Sequence, residues 1–355
     1  LAFTGGTHNL IGASFNNLGT INIDGAAVAF SSPTTIPGKV NFSQGILSST
    51  ATLTFSGPFN WSGGEMIGSG ATVIQGSTNY FNGDLILDGR TLTNMGQTVI
   101  SPYFAPGFYS STQLYGSNGA IFNNQTGASV VLQGETWFIN DGGTAPTINN
   151  AGGFFAAPQT GTVNIAFAMN NTGTVEAQKG TLILQGGVTQ LAGNTLTGGT
   201  WNVRANSTLD IANTGNITTN QATVTLDGLG SLFTKINTLA DNQGNFSVLN
   251  GRNFTTIADL ANSGALTVGA GSEFDVTGNL TGSGITIVDG LLTADSIVQN
   301  TLTIGDGATV TINPIPGGPL GDGTIRAVPE PGTFIMLLIA AAAVGWLRKS
   351  ARLIG

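Results

Sequence analysis

The feature that most constrains the fold is a short turn motif, Asn-x-Gly, that recurs at intervals of roughly 20 residues, the length of one coil of a solenoid. Asn150 is followed one interval later by Asn171 and after two more intervals by Asn213, and Asn242 is followed one interval later by Asn262. Glycine adopts positive φ without steric cost and asparagine tolerates it, so we interpret each motif as a sharp structural turn. The spacing therefore predicts a chain built of successive coils.

Between the turns the sequence alternates between aliphatic and polar residues, as half-buried strands do. The segment Leu266-Thr267-Val268 has this pattern, and Leu302-Thr303-Ile304 repeats it further along the chain. Stacked coils bury the aliphatic faces of such strands in one continuous core. Charged residues make up only 8% of the chain, which fits stacking in register, where like charges would lie directly over one another. We therefore predict an all-β fold, a parallel β-solenoid or a closely related repeat stack.

Repeat regularity divides the chain into regions. Residues 1–160 are an irregular, aromatic-rich β-repeat region, and residues 161–313 are regular solenoid repeats. The segment 101–109 contains two prolines and is interpreted as a loop leaving the stack. Residues 314–327 are rich in proline and glycine, which predicts an extended linker.

The end of the chain, residues 328–355, combines three signals in a fixed order. Pro329 and Pro331 prevent a helix from entering from upstream. Thr333–Leu347 carries no charge, but as a helix it would be about 22 Å long, so its length alone leaves open whether it spans a membrane or is a C-terminal core helix. The absence of an amphipathic face and the flanking residues favour one transmembrane helix. Residues 348–352 form a basic end that should stay in the cytoplasm, with residues 1–327 outside. The residues predicted to flank the membrane are Trp346, Arg348, Lys349 and Arg352.

This tail resembles the PEP-CTERM sorting tail of proteins exported by bacteria that have an outer membrane. The resemblance rests on the order of motif, apolar span and basic cluster; the motif residues are Val328, Pro329, Glu330, Pro331, Gly332 and Thr333. It implies recognition by an exosortase, a membrane transpeptidase-like enzyme, with an inner-membrane intermediate. Removal of the tail and delivery to the cell surface or the extracellular polysaccharide matrix would follow.

The composition excludes several classes of partner and site. A net charge of −8 with ten Lys and Arg residues argues against nucleic acid as a partner. The chain contains no cysteine and one histidine, His8, which excludes disulfides, thiolate metal sites and multi-histidine metal centres. We predict no cofactor and no metal. The chain begins at Leu1 without a secretion signal, so we expect further residues upstream.

One acidic pair is a candidate catalytic or cation site, because β-helix folds also include polysaccharide lyases and hydrolases. Asp84 and Asp88 lie on one face of a predicted strand, and Arg90 would continue that face. The alternative, which we favour, places both carboxylates at exposed turn edges. No residue is predicted to be catalytic.

Two other functional classes remain as alternatives. Thr-x-Thr pairs, such as Thr91 and Thr93, form ice-binding surfaces when they recur on every coil; here their intervals are irregular. An autotransporter passenger requires a C-terminal β-barrel, which Thr333–Gly355 cannot supply.

The function predicted from these observations is that of an exported, non-catalytic structural or adhesion protein of the cell surface or extracellular matrix. Exopolysaccharide is the candidate ligand. Three tryptophans, Trp61, Trp137 and Trp201, are candidate glycan contacts, because their rings can stack on sugar faces. The alternative is that these rings cap or fill the coils. A polysaccharide-acting β-helix enzyme is the alternative from a different functional class.

Overall fold

The computed structural model describes residues 1–16, 19–105, 108–158, 161–313 and 323–326. The described chain is a parallel β-solenoid of about 15 turns, which confirms the predicted fold class. Within these ranges no helix is long and apolar enough to span a bilayer; the predicted transmembrane helix lies outside them. The chain divides into two compact units: unit 1 is Leu1–Gln190 with Ser207–Thr214, and unit 2 is Leu191–Asn206 with the residues from Gly215 onward.

Most turns of unit 1 contribute strands to three successive faces, and strands of neighbouring turns pair in parallel; the first and last turns have no strand on the third face. The first face comprises Ala2–Phe3, Ile21–Phe30, Val40–Ser49, Phe59–Trp61, Thr78–Phe81, Gln97–Ile100, Ser129–Leu132, Gly153–Ala156 and Thr174–Ala177. The second comprises Thr7–Leu10, the later halves of Ile21–Phe30 and Val40–Ser49, then Gly64–Ile67, Asp84–Asp88, Thr112–Ser117, Thr136–Asn140, Thr162–Ile165, Thr181–Leu184 and Thr208–Ile211. The third comprises Thr34–Ile36, Leu53–Phe55, Ala71–Ile74, Thr91–Asn94, Ile121–Asn124, Thr147–Asn150 and Ala168–Asn171.

The register between turns shows the predicted period. Asn22 lies opposite Asn41 on the next turn, which corresponds to a coil of roughly 20 residues. The interval is longer where the chain leaves the stack, between Gln97 and its partner Ser129. The segment predicted to be a loop contains two short antiparallel strands there, Tyr103–Ala105 and Phe108–Ser110.

The core of unit 1 consists of columns of apolar side chains, because alternate residues of each strand point inward. One column runs through eight turns with every member at most 2% exposed: Ile23, Phe42, Trp61, Phe81, Ile100, Leu132, Ala156 and Ala177. Burying one such side chain contributes roughly 1.5–3 kcal/mol, so the stacked columns supply the main driving force for folding.

A column of buried asparagines runs along the corner after the third face of unit 1. Asn94 Nδ2 donates to Asn124 Oδ1 at 2.9 Å, Asn124 Nδ2 to Asn150 Oδ1 at 2.7 Å, and Asn150 Nδ2 to Asn171 Oδ1 at 2.8 Å. Each donating amide also reaches a backbone carbonyl of a following turn at 3.0 Å; the acceptors are Ser129, Gly153 and Thr174. The polar groups of this corner are therefore satisfied from turn to turn.

This column revises the role of the Asn-x-Gly motif. The chain bends at the described motifs, as predicted, but positive φ is not what most of their asparagines supply, since among them only Asn213, at φ 58°, adopts that conformation. Most of the others are buried, since Asn94, Asn150, Asn171, Asn242 and Asn262 are at most 1% exposed, whereas Asn140 is exposed. Asn94, Asn150, Asn242 and Asn262 donate across turns, and Asn171 accepts from Asn150. The motif marks a buried corner because the asparagine amide supplies the hydrogen bonds that the corner needs.

Unit 2 has three ladders of its own. The first comprises Thr200–Val203, Thr223–Asp227, Asn245–Leu249, Ala265–Val268, Ile285–Val288 and Thr301–Ile304. The second comprises Asn253–Thr255, Glu273–Asp275, Leu291–Ala294 and Thr309–Ile312; Leu232–Phe233 is a further short strand. The third comprises Thr195–Leu196, Thr219–Asn220, Asp241–Asn242, Leu260–Asn262, Asn279–Thr281 and Ser296–Ile297, with Leu191–Ala192 antiparallel to its first strand.

The second ladder of unit 2 ends in an antiparallel strand, Gly323–Arg326, which pairs with Thr309–Ile312. This strand falls inside the range predicted to be an extended linker. Unit 2 also contains an asparagine column, in which Asn220 donates to Asn242 and Asn242 to Asn262, each at 2.8 Å. Both units thus use the same corner chemistry.

Glycines stack over one another beside the asparagine column of unit 2. Gly244 and Gly264 belong to the Asn-x-Gly motif, and Gly284 has the same position on the next turn, where residue 282 is glycine. A Cβ at Gly264 would lie 2.0 Å from the carbonyl oxygen of Gly244, and one at Gly284 would lie 2.4 Å from that of Gly264. These contacts are with backbone, which cannot rotate away as a side chain can. Glycine is required at these positions by the spacing of neighbouring turns.

We expect the substitution Gly264→Ala to lower the free energy of unfolding by about 2–3 kcal/mol, because the new methyl group must displace a neighbouring backbone. Urea denaturation followed by circular dichroism measures the loss. The matched control is Gly198→Ala in the same unit, where an added Cβ meets no atom within 4 Å. That variant should change stability by less than about 0.5 kcal/mol. Equal effects of the two variants would contradict this account of the glycine column.

Candidate functional surfaces

The predicted sorting tail lies outside the described residues. This applies to the motif Val328–Thr333, to the span Thr333–Leu347, and to Trp346, Arg348, Lys349 and Arg352. The geometry that bears on a functional surface is therefore that of the solenoid.

Two of the three candidate glycan-contacting tryptophans are wholly buried. Trp61 is 0% exposed, lies parallel to Phe42 with ring centroids 6.4 Å apart, and meets Phe81 edge to face at 5.4 Å. Trp201 is also 0% exposed, and its indole Nε1 donates to Gly198 O at 2.9 Å. Neither ring has a face open to a sugar, which corrects the glycan prediction for these two residues: they fill the coils.

Trp137 differs, because it lies on the outside of the second face of unit 1 and is 40% exposed. Its neighbour Phe138 points into the core at 1% exposure, so strand alternation directs Trp137 outward. Its Cα partners are Gln113 on the preceding turn and Asn164 on the following turn. The indole ring therefore lies in a row with two amide-bearing residues.

A second row of outward side chains runs beside Trp137. Ile86, Tyr115 and Ile139 are Cα partners on three successive turns, and all three are partly exposed. The row makes the centre of this face apolar and aromatic.

The phenol of Tyr115 is held in place by polar neighbours. Its hydroxyl donates to Gln113 Oε1 at 2.5 Å. Burial raises the pKa of Tyr115, and the negative charges of Asp84 and Asp141 raise it further. The phenol is thus neutral at physiological pH, and both carboxylates lie close enough to influence it. We call Asp84, Gln113, Tyr115, Trp137 and Asp141 the Trp137 surface.

Charge is unevenly distributed over the faces of unit 1. The described strands of the third face contain no charged residue, and none of the described strands of unit 1 contains lysine or arginine. Carboxylates are concentrated on the second face: Glu65, Asp84, Asp88 and Asp210 lie on its strands, and Asp141 directly follows Thr136–Asn140. The Trp137 surface is therefore the aromatic centre of an acidic face.

The structure places the candidate acidic pair, Asp84 and Asp88, in an environment unlike that of a catalytic pair. Asp84 and Asp88 stand at the two ends of their strand, and Asp88 Oδ1 accepts hydrogen bonds from Ser117 Oγ and Asn118 Nδ2, each at 2.6 Å. The expectation that Arg90 continues this face is wrong. Arg90 is 0% exposed and points into the coil, because its guanidinium satisfies groups of earlier turns.

The structure also addresses metal binding and the threonine pairs. In the described parts of the chain, no three His, Cys, Asp or Glu side chains come together as a metal site would require. Thr91 and Thr93 have unlike neighbours on the adjoining turns: Ala71 and Val73 on one side, Ile121 and Asn123 on the other. The repeated threonine array that an ice-binding surface needs is absent around this pair.

Sequence reasoning missed most members of the Trp137 surface. Tyr115, Gln113 and Asp141 were not predicted to be site residues, because the turns from Gln113 to Trp137 and from Trp137 to Asn164 are unequal and longer than the period of the Asn-x-Gly motif. The signal that the sequence does contain is the adjacent aromatic pair at 137 and 138. In a strand, one of two consecutive residues must face outward.

Comparison with known proteins gives a match to the tail and none to the solenoid. Residues 327–352 match the family model of the PEP-CTERM protein-sorting motif. No curated protein matches the chain, and no solved structure matches it. The match covers the motif and the basic end predicted from the sequence, and it implies an exported protein that an exosortase sorts to the cell surface.

Proposed function

We propose that this protein is a non-catalytic structural or adhesion component of the bacterial surface or extracellular matrix. The observation that carries the proposal is the PEP-CTERM motif at residues 327–352, which implies export and exosortase sorting. The sorted cargo is a repetitive solenoid, an architecture that provides extended surface from few kinds of residue.

The solenoid surface supports a structural role. The last three strands of its third face in unit 1 carry an uncharged row of hydrogen-bonded amides, in which Asn149 Nδ2 donates to Asn123 Oδ1 at 2.9 Å and Asn170 Nδ2 to Asn149 Oδ1 at 3.3 Å. Such a ladder stabilises contacts between turns without exposing reactive groups. Together with the buried asparagine column, this outward row joins the turns on both the inner and the outer side of the strands. A protein that must persist outside the cell without disulfides benefits from such reinforcement.

The carboxylate environment favours the non-catalytic role over a polysaccharide-acting enzyme. Most glycoside hydrolases use two carboxyl groups that flank the scissile bond, one as general acid and the other as base or nucleophile. Asp88 is instead hydrogen-bonded to Ser117 and Asn118, and Asp84 is solvent-exposed at the other end of the strand. This geometry is that of turn-edge carboxylates.

The proposal is tested by following the protein in a bacterium that encodes an exosortase. We expect the wild-type protein in the surface or extracellular fraction. Because its tail has been removed, it should be shorter than its precursor. The triple variant Pro329→Ala, Glu330→Ala, Pro331→Ala should retain the tail and accumulate in the inner membrane. Immunoblotting of fractionated cells measures both size and location.

Two controls make this test specific. Deletion of the exosortase gene should reproduce the triple variant, and Pro319→Ala, a change in the predicted linker, should leave processing unchanged. The proposal would be overturned if three samples had the same size and location: the wild-type protein, the triple variant, and the wild-type protein in the deletion strain.

A further inference from the structure

We propose that the second face of unit 1 binds a polysaccharide that carries free amino groups, with the Trp137 surface at the centre of the contact. This inference rests on the proposed surface location and adds the chemical class of the ligand. Its basis is the juxtaposition of an exposed indole, a neighbouring phenol and carboxylates on one sheet face.

Charge selects the sign of the ligand. The second face presents Glu65, Asp84, Asp88 and Asp210 on its strands, and none of those strands contains lysine or arginine. The carboxylates of this face repel a polyuronate, so an acidic matrix polysaccharide is disfavoured. An ammonium group is attracted both by the carboxylates and by the negative face of an aromatic ring, which attracts cations within about 6 Å of its centroid.

The aromatic and amide groups select a sugar over a simple polyamine. Trp137 is 40% exposed and is flanked in register by Gln113 and Asn164. An indole offers an apolar platform to the C–H face of a pyranose. Asn164 is only 5% exposed, so the amide available to the sugar hydroxyls is that of the partly exposed Gln113, whose NH2 group can donate to them. A linear polyamine has neither a ring face nor hydroxyl groups to use these contacts.

The extent of the acidic face indicates a polymer. Six strand steps separate the strand of Glu65 from that of Asp210. At about 4.8 Å a step, the carboxylates are distributed over about 29 Å along unit 1. A single sugar covers only a small part of that length, whereas an extended chain with regularly spaced ammonium groups meets carboxylates on several turns.

The test uses the full-length protein and three defined probes: a glucosamine hexamer, its fully N-acetylated counterpart and an oligouronate of similar length. Isothermal titration calorimetry at slightly acidic pH and low salt measures each dissociation constant. We expect the glucosamine hexamer to bind at least about tenfold more tightly than either other probe. Raising the salt to about 0.5 M should weaken that binding, because exposed charges are then screened over a few ångströms.

Variants locate the binding on this face. Trp137→Ala and the double variant Asp84→Asn, Asp141→Asn should each weaken hexamer binding by about fivefold or more. Two controls should leave it unchanged: Tyr80→Ala removes an aromatic residue that is 49% exposed on the first face, and Asp306→Asn removes an exposed carboxylate in unit 2.

Three results would overturn the inference: no hexamer binding, equal binding of the N-acetylated form, or binding that the controls weaken as much as the Trp137 surface variants do. The last result would indicate attraction to overall negative charge only. Location in the cell is measured separately. A protein that is sorted to the surface but does not bind the hexamer would therefore contradict this inference and leave the proposed function intact.

Discussion

The substitution Asn150→Asp is expected to lower the free energy of unfolding by about 4 kcal/mol or more, although it changes a single NH2 group to an oxygen. Asn150 is 1% exposed, and its Nδ2 donates to Asn171 Oδ1 at 2.8 Å and to Thr174 O at 3.0 Å. Aspartate loses both donors and directs an oxygen at two other oxygens in a buried site. Urea denaturation of the full-length chain measures the loss.

The pH dependence of the stability of Asn150→Asp provides a second test. Burial among oxygen atoms raises the pKa of the new carboxyl group in the folded state above its unfolded value. The destabilisation is then greatest above the folded pKa and shrinks as the pH falls below it, because the protonated carboxyl regains one donor. The difference in urea midpoint between the wild type and the variant should therefore be larger at pH 7 than at pH 4.

Asn149 supplies a matched control, because it is the preceding residue on the same strand and points outward. Its Nδ2 donates to Asn123 Oδ1 at 2.9 Å, but solvent can replace that partner. Asn149→Asp should cost less than about 1 kcal/mol at either pH. If the two variants lost equal stability, the inner asparagine column would not be the structural support described above.

The contrast between Asn149 and Asn150 also shows what the sequence could predict. The Asn-x-Gly spacing and the alternating strands were sufficient for the parallel solenoid, because both depend on local periodicity. The function of the asparagine was not predictable from the motif alone. A turn residue and a buried corner residue have the same sequence signature, and only the offset to the next turn decides whether an amide has a partner above it.

The tryptophans illustrate a similar limit. Trp61 and Phe59 are alternate residues and share the inward side of one strand, whereas Trp137 directly precedes the inward Phe138 and faces solvent. Alternation along the strand contains this information. The neighbours of Trp137 were beyond prediction, since two turns of unequal length determine that Gln113 and Asn164 flank it.

Removing the buried arginine of unit 1 is expected to be nearly as damaging as the change at Asn150. Arg90 is 0% exposed; its Nε donates to Thr72 Oγ1 at 2.8 Å, and its Nη1 donates to Ser49 O at 2.9 Å and to Ile67 O at 3.0 Å. The guanidinium thus joins three successive turns. Burial lowers the pKa of Arg90 to about 10, so folding disfavours its charged form, and the acceptor groups offset that cost.

Arg90→Ala should therefore lower the free energy of unfolding by about 3–4 kcal/mol, because it leaves buried acceptors without a donor and opens a cavity. Arg90→Lys should recover part of this loss, since an ammonium group keeps three donors but lacks the planar fork that reaches several carbonyls. The control is Arg204→Ala, which removes a half-exposed arginine paired with Asp227 and should cost less than about 1 kcal/mol. If Arg90→Ala lowered the urea midpoint no more than Arg204→Ala does, the interior guanidinium would not join the turns. Unit 1 would then be stabilised by its apolar and asparagine columns alone.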